Sequence, residues 1–217
     1  MIAWYGEQKL KDAAMNRLRE HRRLDQLAQG FYFRNDEFRG CHLGCLTHRN
    51  EDSHEAAERM FAIPKRVGYW LEIVFENLPK DKCADWVIES TEAIPVGADL
   101  SMCHNHFLYW LLGPDSPSAD GNDHPIVRDS VSQVRELHRL ILSGESVTQE
   151  KWSAARSAAE SAESAAAWSV ISEKSIEIFS SAPVRQPTED EECEQCVKDS
   201  LFLLTTGSTE CRIRDQE

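Results

Sequence analysis

Apolar residues recur at intervals of three and four in one segment of this chain after another, and nearly every such run stops at a Gly or a Pro. That period belongs to a helix with one buried face, and the stops are the residues that break helices. Leu10, Ala14, Leu18, His21, Leu24, Leu27 and Ala28 mark a first helix over Lys9 to Ala28, closed by Gly30. Asp52, with Glu55 at the capping-box offset, opens the next ahead of Ala56, Ala57, Met60 and Phe61. Pro64 starts a third, carrying Val67, Trp70, Leu71, Val74, Phe75 and Leu78, and Pro79 ends it.

Asp81 is placed to cap a helix with Cys83, Val87, Thr91 and Ile94, broken by Ile94-Pro95-Val96-Gly97. Leu100, Cys103, Phe107, Leu108, Leu111 and Leu112 then form the most apolar helix, ended by Gly113-Pro114, and it is expected at the centre of the core. After a Pro, Ser and Gly-rich loop come a helix with Val127, Val131, Val134, Leu137, His138 and Ile141, and another capped by Thr148. The latter runs into a Ser-Ala-Ala tract from Trp152 to Trp168, whose small residues suit close helix packing. Phe31-Tyr32-Phe33, followed by the polar turn Arg34-Asn35-Asp36, is the one extended segment. The expectation is an all-α bundle of about seven or eight helices with at most a minor strand pair near residues 31–39. Residues 1–182 read as one helical domain. Residues 183–217 read as an acidic C-terminal helix and tail packed on it, started by Thr188 and carrying Cys193, Val197, Leu201 and Leu204.

With 217 residues, 41% of them hydrophobic and 28% charged, the chain has the material for a substantial core. A net charge of −13 argues against direct nucleic-acid binding, which requires clustered Lys and Arg to neutralise phosphates. One local basic group, Arg17, Arg19, Arg22 and Arg23, and one acidic run, Glu189 to Glu194, stand out. Each is readable as internal complementarity, a partner surface or a solvated face. No apolar window is long enough for a membrane span, the first residues lack a signal-peptide pattern, and seven cysteines fit a reducing compartment. The expected location is the cytoplasm.

Chemistry concentrates in Cys41-His42-Leu43-Gly44-Cys45-Leu46-Thr47-His48 and the nearby His54. Thiolates and imidazoles are zinc ligands, so Cys41, Cys45, His48 and His54 form a candidate zinc site. Were the stretch helical throughout, Cys41, Cys45 and His48 would share one face. The same residues admit a second reading, a nucleophile site in which Cys45 is activated by a histidine, including His104 or His106 beside Asn105. A third takes the cysteines as small packing residues, since Cys is among the most buried residue types. Cys193 and Cys196 lack the preceding strand of a thioredoxin-type redox pair. Glu72 and Glu76 lie four apart on one helix face, but the Glu-x-x-His pairs of a di-iron bundle are absent.

Taken in order, Gly40-Cys41-His42-Leu43-Gly44-Cys45, Ile63-Pro64, Phe75-Glu76-Asn77-Leu78-Pro79, Ile94-Pro95-Val96-Gly97-Ala98-Asp99-Leu100-Ser101 and the Ser-Ala-Ala tract resemble a family of bacterial and phage-associated hypothetical proteins. That family has a Gly-Cys-x-x-Gly-Cys segment and an alanine-rich C-terminal helix, and the likeness runs from about Gln29 to Trp168. It implies that the Cys/His stretch is a defined element and brings no activity with it. Without a catalytic signature, the reading is of an acidic protein-interaction module rather than an enzyme, engaging a protein partner through Glu189 to Glu194. Zinc binding and cysteine nucleophilicity are the alternatives.

Overall fold

A computed structural model describes residues 1–50, 52–116, 125–155 and 168–186. Among them are nine α-helices, a 3-10 turn at Ala3–Gly6 and one two-stranded antiparallel sheet, so the fold is all-α with a minor strand pair. The helices are α1 (Gln8–Arg23), α2 (His42–Thr47), α3 (Ser53–Phe61), α4 (Lys65–Asn77), α5 (Lys80–Glu92), α6 (Cys103–Leu111), α7 (Pro125–Leu142), α8 (Gln149–Ala155) and α9 (Trp168–Ser180). Strands β1 (Phe33–Arg34) and β2 (Arg39–Gly40) pair Phe33 with Gly40 and Arg34 with Arg39. The described residues divide into two compact units, those of Met1–Ser101 together with the described ones from Phe179, and those of Met102–Ile178.

In the first unit the centre is α2. Every residue of this six-residue helix is buried, and α1, α3, α4 and β2 all contact it. So short a helix has no stability alone and exists because its neighbours enclose it. Two glycines make the enclosure possible. A Cβ on Gly44 would sit 1.5 Å from the Tyr32 carbonyl oxygen and one on Gly40 2.0 Å from it, so the Tyr32 backbone occupies the space where side chains would be. The Cys41 amide then donates to the Tyr32 oxygen at 2.9 Å. Around α2 pack Leu10, Ala14 and Leu18 of α1, Ala57 and Phe61 of α3, and Val67, Leu71, Val74 and Phe75 of α4, all buried. Each such side chain contributes roughly 1.5–3 kcal/mol by leaving water.

Several details differ from the expectations: α1 ends at Arg23 rather than Ala28, and α5 begins at Lys80 behind Pro79, so that Asp81 lies inside its first turn instead of capping it. The Leu100–Leu112 stretch is not the centre of the core. Leu100 is buried in the first unit, whereas α6 lies in the second unit against α7, with Leu108 to Leu112 only partly buried. Asp52 precedes α3 but does not cap it. Its backbone is left-handed at φ 53°, which turns its side chain away from the helix amides, and the carboxylate lies 3.6 Å from Arg59 instead. The α1 arginines are used internally. Arg17 donates to the Leu46 carbonyl at 3.1 Å, Arg19 meets Glu92 and Arg22 meets Asp85 on α5, and Arg23 meets Glu20.

In the second unit Val134 and Leu137 of α7 form a small core with Leu112, Leu140, Val147 and Trp152. Arg135 donates to the Tyr109 carbonyl at 3.1 Å, and buried His138 meets Asn105 Oδ1 at 3.1 Å. The expectations for most of the Ser-Ala-Ala tract, the Cys193–Cys196 pair, the Glu189 to Glu194 run and the C-terminal helix fall outside the described residues. No helix among the described residues is long and apolar enough to cross a membrane.

Candidate metal centre

Gln29 and Gly30 fasten the chain leading to β1 onto the end of α4. The Gln29 side-chain amide donates to the carbonyls of Phe75 at 2.7 Å and Leu78 at 2.8 Å, satisfying acceptors left open where the helix stops. The Gly30 amide donates to Glu76 Oε2 at 2.7 Å. Two residues on, Tyr32 stands near Glu72, and burial together with that charge raises the phenol's pKa. One short segment thereby ties Glu76 and the end of α4 to the backbone that seats on Gly40 and Gly44.

Cys41 stands at the start of α2 as its N-cap, with extended backbone angles (φ −68°, ψ −179°), and its Sγ accepts from the Gly44 amide at 3.4 Å. This directs the thiol toward α4. Cys41 Sγ and one oxygen each from Glu72 and Glu76 lie within 4.8 Å of one another, and this is the group of metal-capable donors that converges among the described residues. His54, from the first turn of α3, comes in beside Glu72. Its side chain is 5% exposed and its Nε2 lies 2.5 Å from Glu72 Oε2, a contact without the alignment of a hydrogen bond. Gly68 leaves room for it, since a Cβ there would meet the imidazole Cδ2 at 3.4 Å and Leu43 Cδ1 at 3.2 Å. The Tyr69 ring covers the imidazole at a centroid distance of 3.9 Å, and the Tyr32 ring meets it edge-on at 5.7 Å.

Burial holds Cys41 and Glu76 against ionisation. Burial pushes the Cys41 thiol up to about 12, with Glu72 and Glu76 adding to the rise against the Gly44 amide. Burial likewise raises Glu76, with Glu72 adding to it and the Gly30 amide opposing. A divalent cation among the three donors would attract each ionised form and so oppose these rises. A tetrahedral ion holds sulfur and oxygen ligands about 3.5 Å apart, so the group would contract by roughly 1 Å to bind one.

The four residues singled out in the sequence are distributed unevenly. Cys41 and His54 both lie at this cluster. Cys45 is fully buried and its thiol donates to the carbonyls of Gly40 at 3.3 Å and Gln26 at 3.6 Å, burial raising its pKa further than that of Cys41. His48 ends α2 in the left-handed conformation at φ 54°, and its Nε2 faces His21 Nε2 at 2.8 Å. It stacks on Phe33 at 4.8 Å, and Phe38 closes the box against both imidazoles. Burial and then Arg17 lower His21 to about 4 and His48 to about 3, so the pair is neutral, one nitrogen donating to the other. His42 is likewise neutral, its Nε2 on Thr91 Oγ1 at 2.8 Å and its pKa lowered by burial to about 3.

Glu72, Glu76 and Tyr32 were not picked out as site residues in the sequence. The i, i+4 spacing of the two glutamates was the available signal, but it becomes chemistry only beside a cysteine some thirty residues earlier. No protein-family model, curated protein or solved structure matches the chain, so the reading of this site rests on its own geometry.

Proposed function

We propose that the protein binds a divalent transition metal, zinc being the ion whose preferences fit best, through Cys41, Glu72 and Glu76, with His54 against Glu72. The observation that carries this reading is the convergence of a buried thiol and two carboxylates within 4.8 Å, beside an imidazole that is buried yet lacks an aligned hydrogen bond. Zinc accepts sulfur, oxygen and nitrogen together, which harder ions do not.

The test is elemental analysis of protein purified without chelator, followed by zinc titration of the stripped chain. About one equivalent is expected, with a rise in thermal stability, because binding to the folded state alone adds to folding free energy. Cys41→Ser and Glu72→Gln should lose most of the affinity, while Cys45→Ser should keep it. A folded wild-type chain that takes up no zinc at micromolar concentrations overturns the proposal.

A further inference from the structure

The metal reading leaves a question that the site's surroundings answer: what else the ion would take. Among the described residues three protein donors converge, and a fourth candidate, His54, lies against Glu72. Three protein ligands with a vacant fourth position is the arrangement of a zinc ion that exchanges ligands, whereas structural zinc is enclosed by four. The carboxylate side of the group reaches the surface. Tyr69, Glu72, Ile73 and Glu76 fall at i, i+3, i+4 and i+7 and so form one stripe along α4. Glu72 is 17% exposed in its side chain, while Tyr69 at 43% and Ile73 at 45% stand in solvent beside it.

Charge decides which ligand suits that opening. A thiolate and two carboxylates around a divalent ion leave a net charge of about −1, and a further anion would be brought in against it. Lys65, whose ammonium lies 5.6 Å from the centre of the Tyr69 ring, is paired with Glu55 and so is already neutralised. The rim supplies a half-exposed aromatic face that already has one imidazole, His54, against it at 3.9 Å. We infer that the ion keeps one exchangeable position open beside Tyr69 and Ile73, and that it takes there a neutral nitrogen donor of the imidazole or unprotonated-amine class in preference to an anion. The inference rests on the metal reading.

The experiment loads the full chain with cobalt(II) and follows its visible absorption bands while imidazole and sodium azide are added in separate titrations. Imidazole is expected to change the bands saturably, with cobalt still bound after gel filtration, and at a concentration at least about tenfold lower than azide requires. Bands that respond to neither probe would mean a closed coordination sphere and overturn the inference, leaving the metal site standing. Azide binding as tightly as imidazole, or imidazole removing the cobalt, would overturn it as well. A chain that takes up no cobalt fails the metal reading itself, and the inference falls with it.

Discussion

At Gly44 a single hydrogen atom decides whether two backbones can meet. The Tyr32 carbonyl oxygen lies 1.5 Å from where a Cβ would be, and neither partner can yield because one is inside α2 and the other is tied to α4 through Gln29, Gly30 and Glu76. Gly44→Ala should therefore cost about 3 kcal/mol, read as a fall in the urea midpoint. Gly144→Ala is the control. Gly144 has a left-handed backbone, at φ +85°, that Gly44 lacks, but nothing lies within 4 Å of its Cβ position, so its cost should stay at about 1 kcal/mol. Equal losses at the two positions would remove the close-approach account. The buried histidines give a second residue-scale prediction. His42 is lowered from 6.5 to about 3, so between those values the unfolded chain binds the proton and the folded one does not. Its contribution is complete above about pH 6.5, declines as pH falls, and levels off below about pH 3. At pH 4.5 the loss from His42 alone is about 2 to 3 kcal/mol, and His21 and His48 act in the same direction. Urea unfolding at pH 7, 5.5 and 4.5 measures the slope, and a flat profile would contradict the neutral assignment.

Among the elements, α2 shows how far periodicity reaches. The long amphipathic helices were legible because α1 and α4 each repeat their buried face over about two turns, at Leu10, Ala14 and Leu18 and at Val67, Trp70, Leu71 and Val74. A six-residue helix is too short to show a face, and α2 has none, being buried all round. Its central position follows from what Gly40 and Gly44 admit, a property of the neighbour's backbone rather than of the local pattern. The apolar Leu108 to Leu112 stretch had the opposite fate, because hydrophobicity says that a segment packs and not which core receives it. The shared face expected for Cys41, Cys45 and His48 presumes one continuous helix. Cys41 is extended at its start and His48 left-handed at its end, so both leave the helical phase and the three side chains part. The two thiols of this element should accordingly be inert. With Cys41 held at about 12 and Cys45 raised by burial, iodoacetamide at pH 7.5 should label either at least about tenfold more slowly in the native chain than in urea. Rapid native labelling of Cys45 would instead favour the nucleophile reading.

For the whole molecule, the division into two units locates the chemistry. The candidate centre uses only α2, α3, α4 and the segment before β1, all of them in the first unit. Within that unit the chain from Ala182 returns to the turn that follows α5. Asp99 and Arg185 pair at 2.9 Å, the Asp99 amide donates to Pro183 at 2.7 Å, and Phe179 lies 4.6 Å from Trp70 on α4. Asp99→Ala should cost about 1 kcal/mol, because an ion pair with partly buried partners is lost. It should leave zinc content unchanged, as none of the proposed ligands is touched. A fall in zinc content would mean that this closure supports the centre.

The seating of Tyr32 on Gly40 and Gly44 also bears on the order in which the molecule assembles. Cys41 and Tyr32 are nine residues apart, so their meeting closes a short loop at small entropic cost and can occur early in folding. Glu76 reaches Gly30 across 46 residues and arrives only when α3 and α4 have packed. One half of the ligand set is then a nascent local structure and the other half a late, long-range contact. High metal affinity would switch on only at the final step, and in a refolding experiment followed at once by fluorescence and by cobalt absorption the cobalt signal should lag, so that a bound ion reports completed folding.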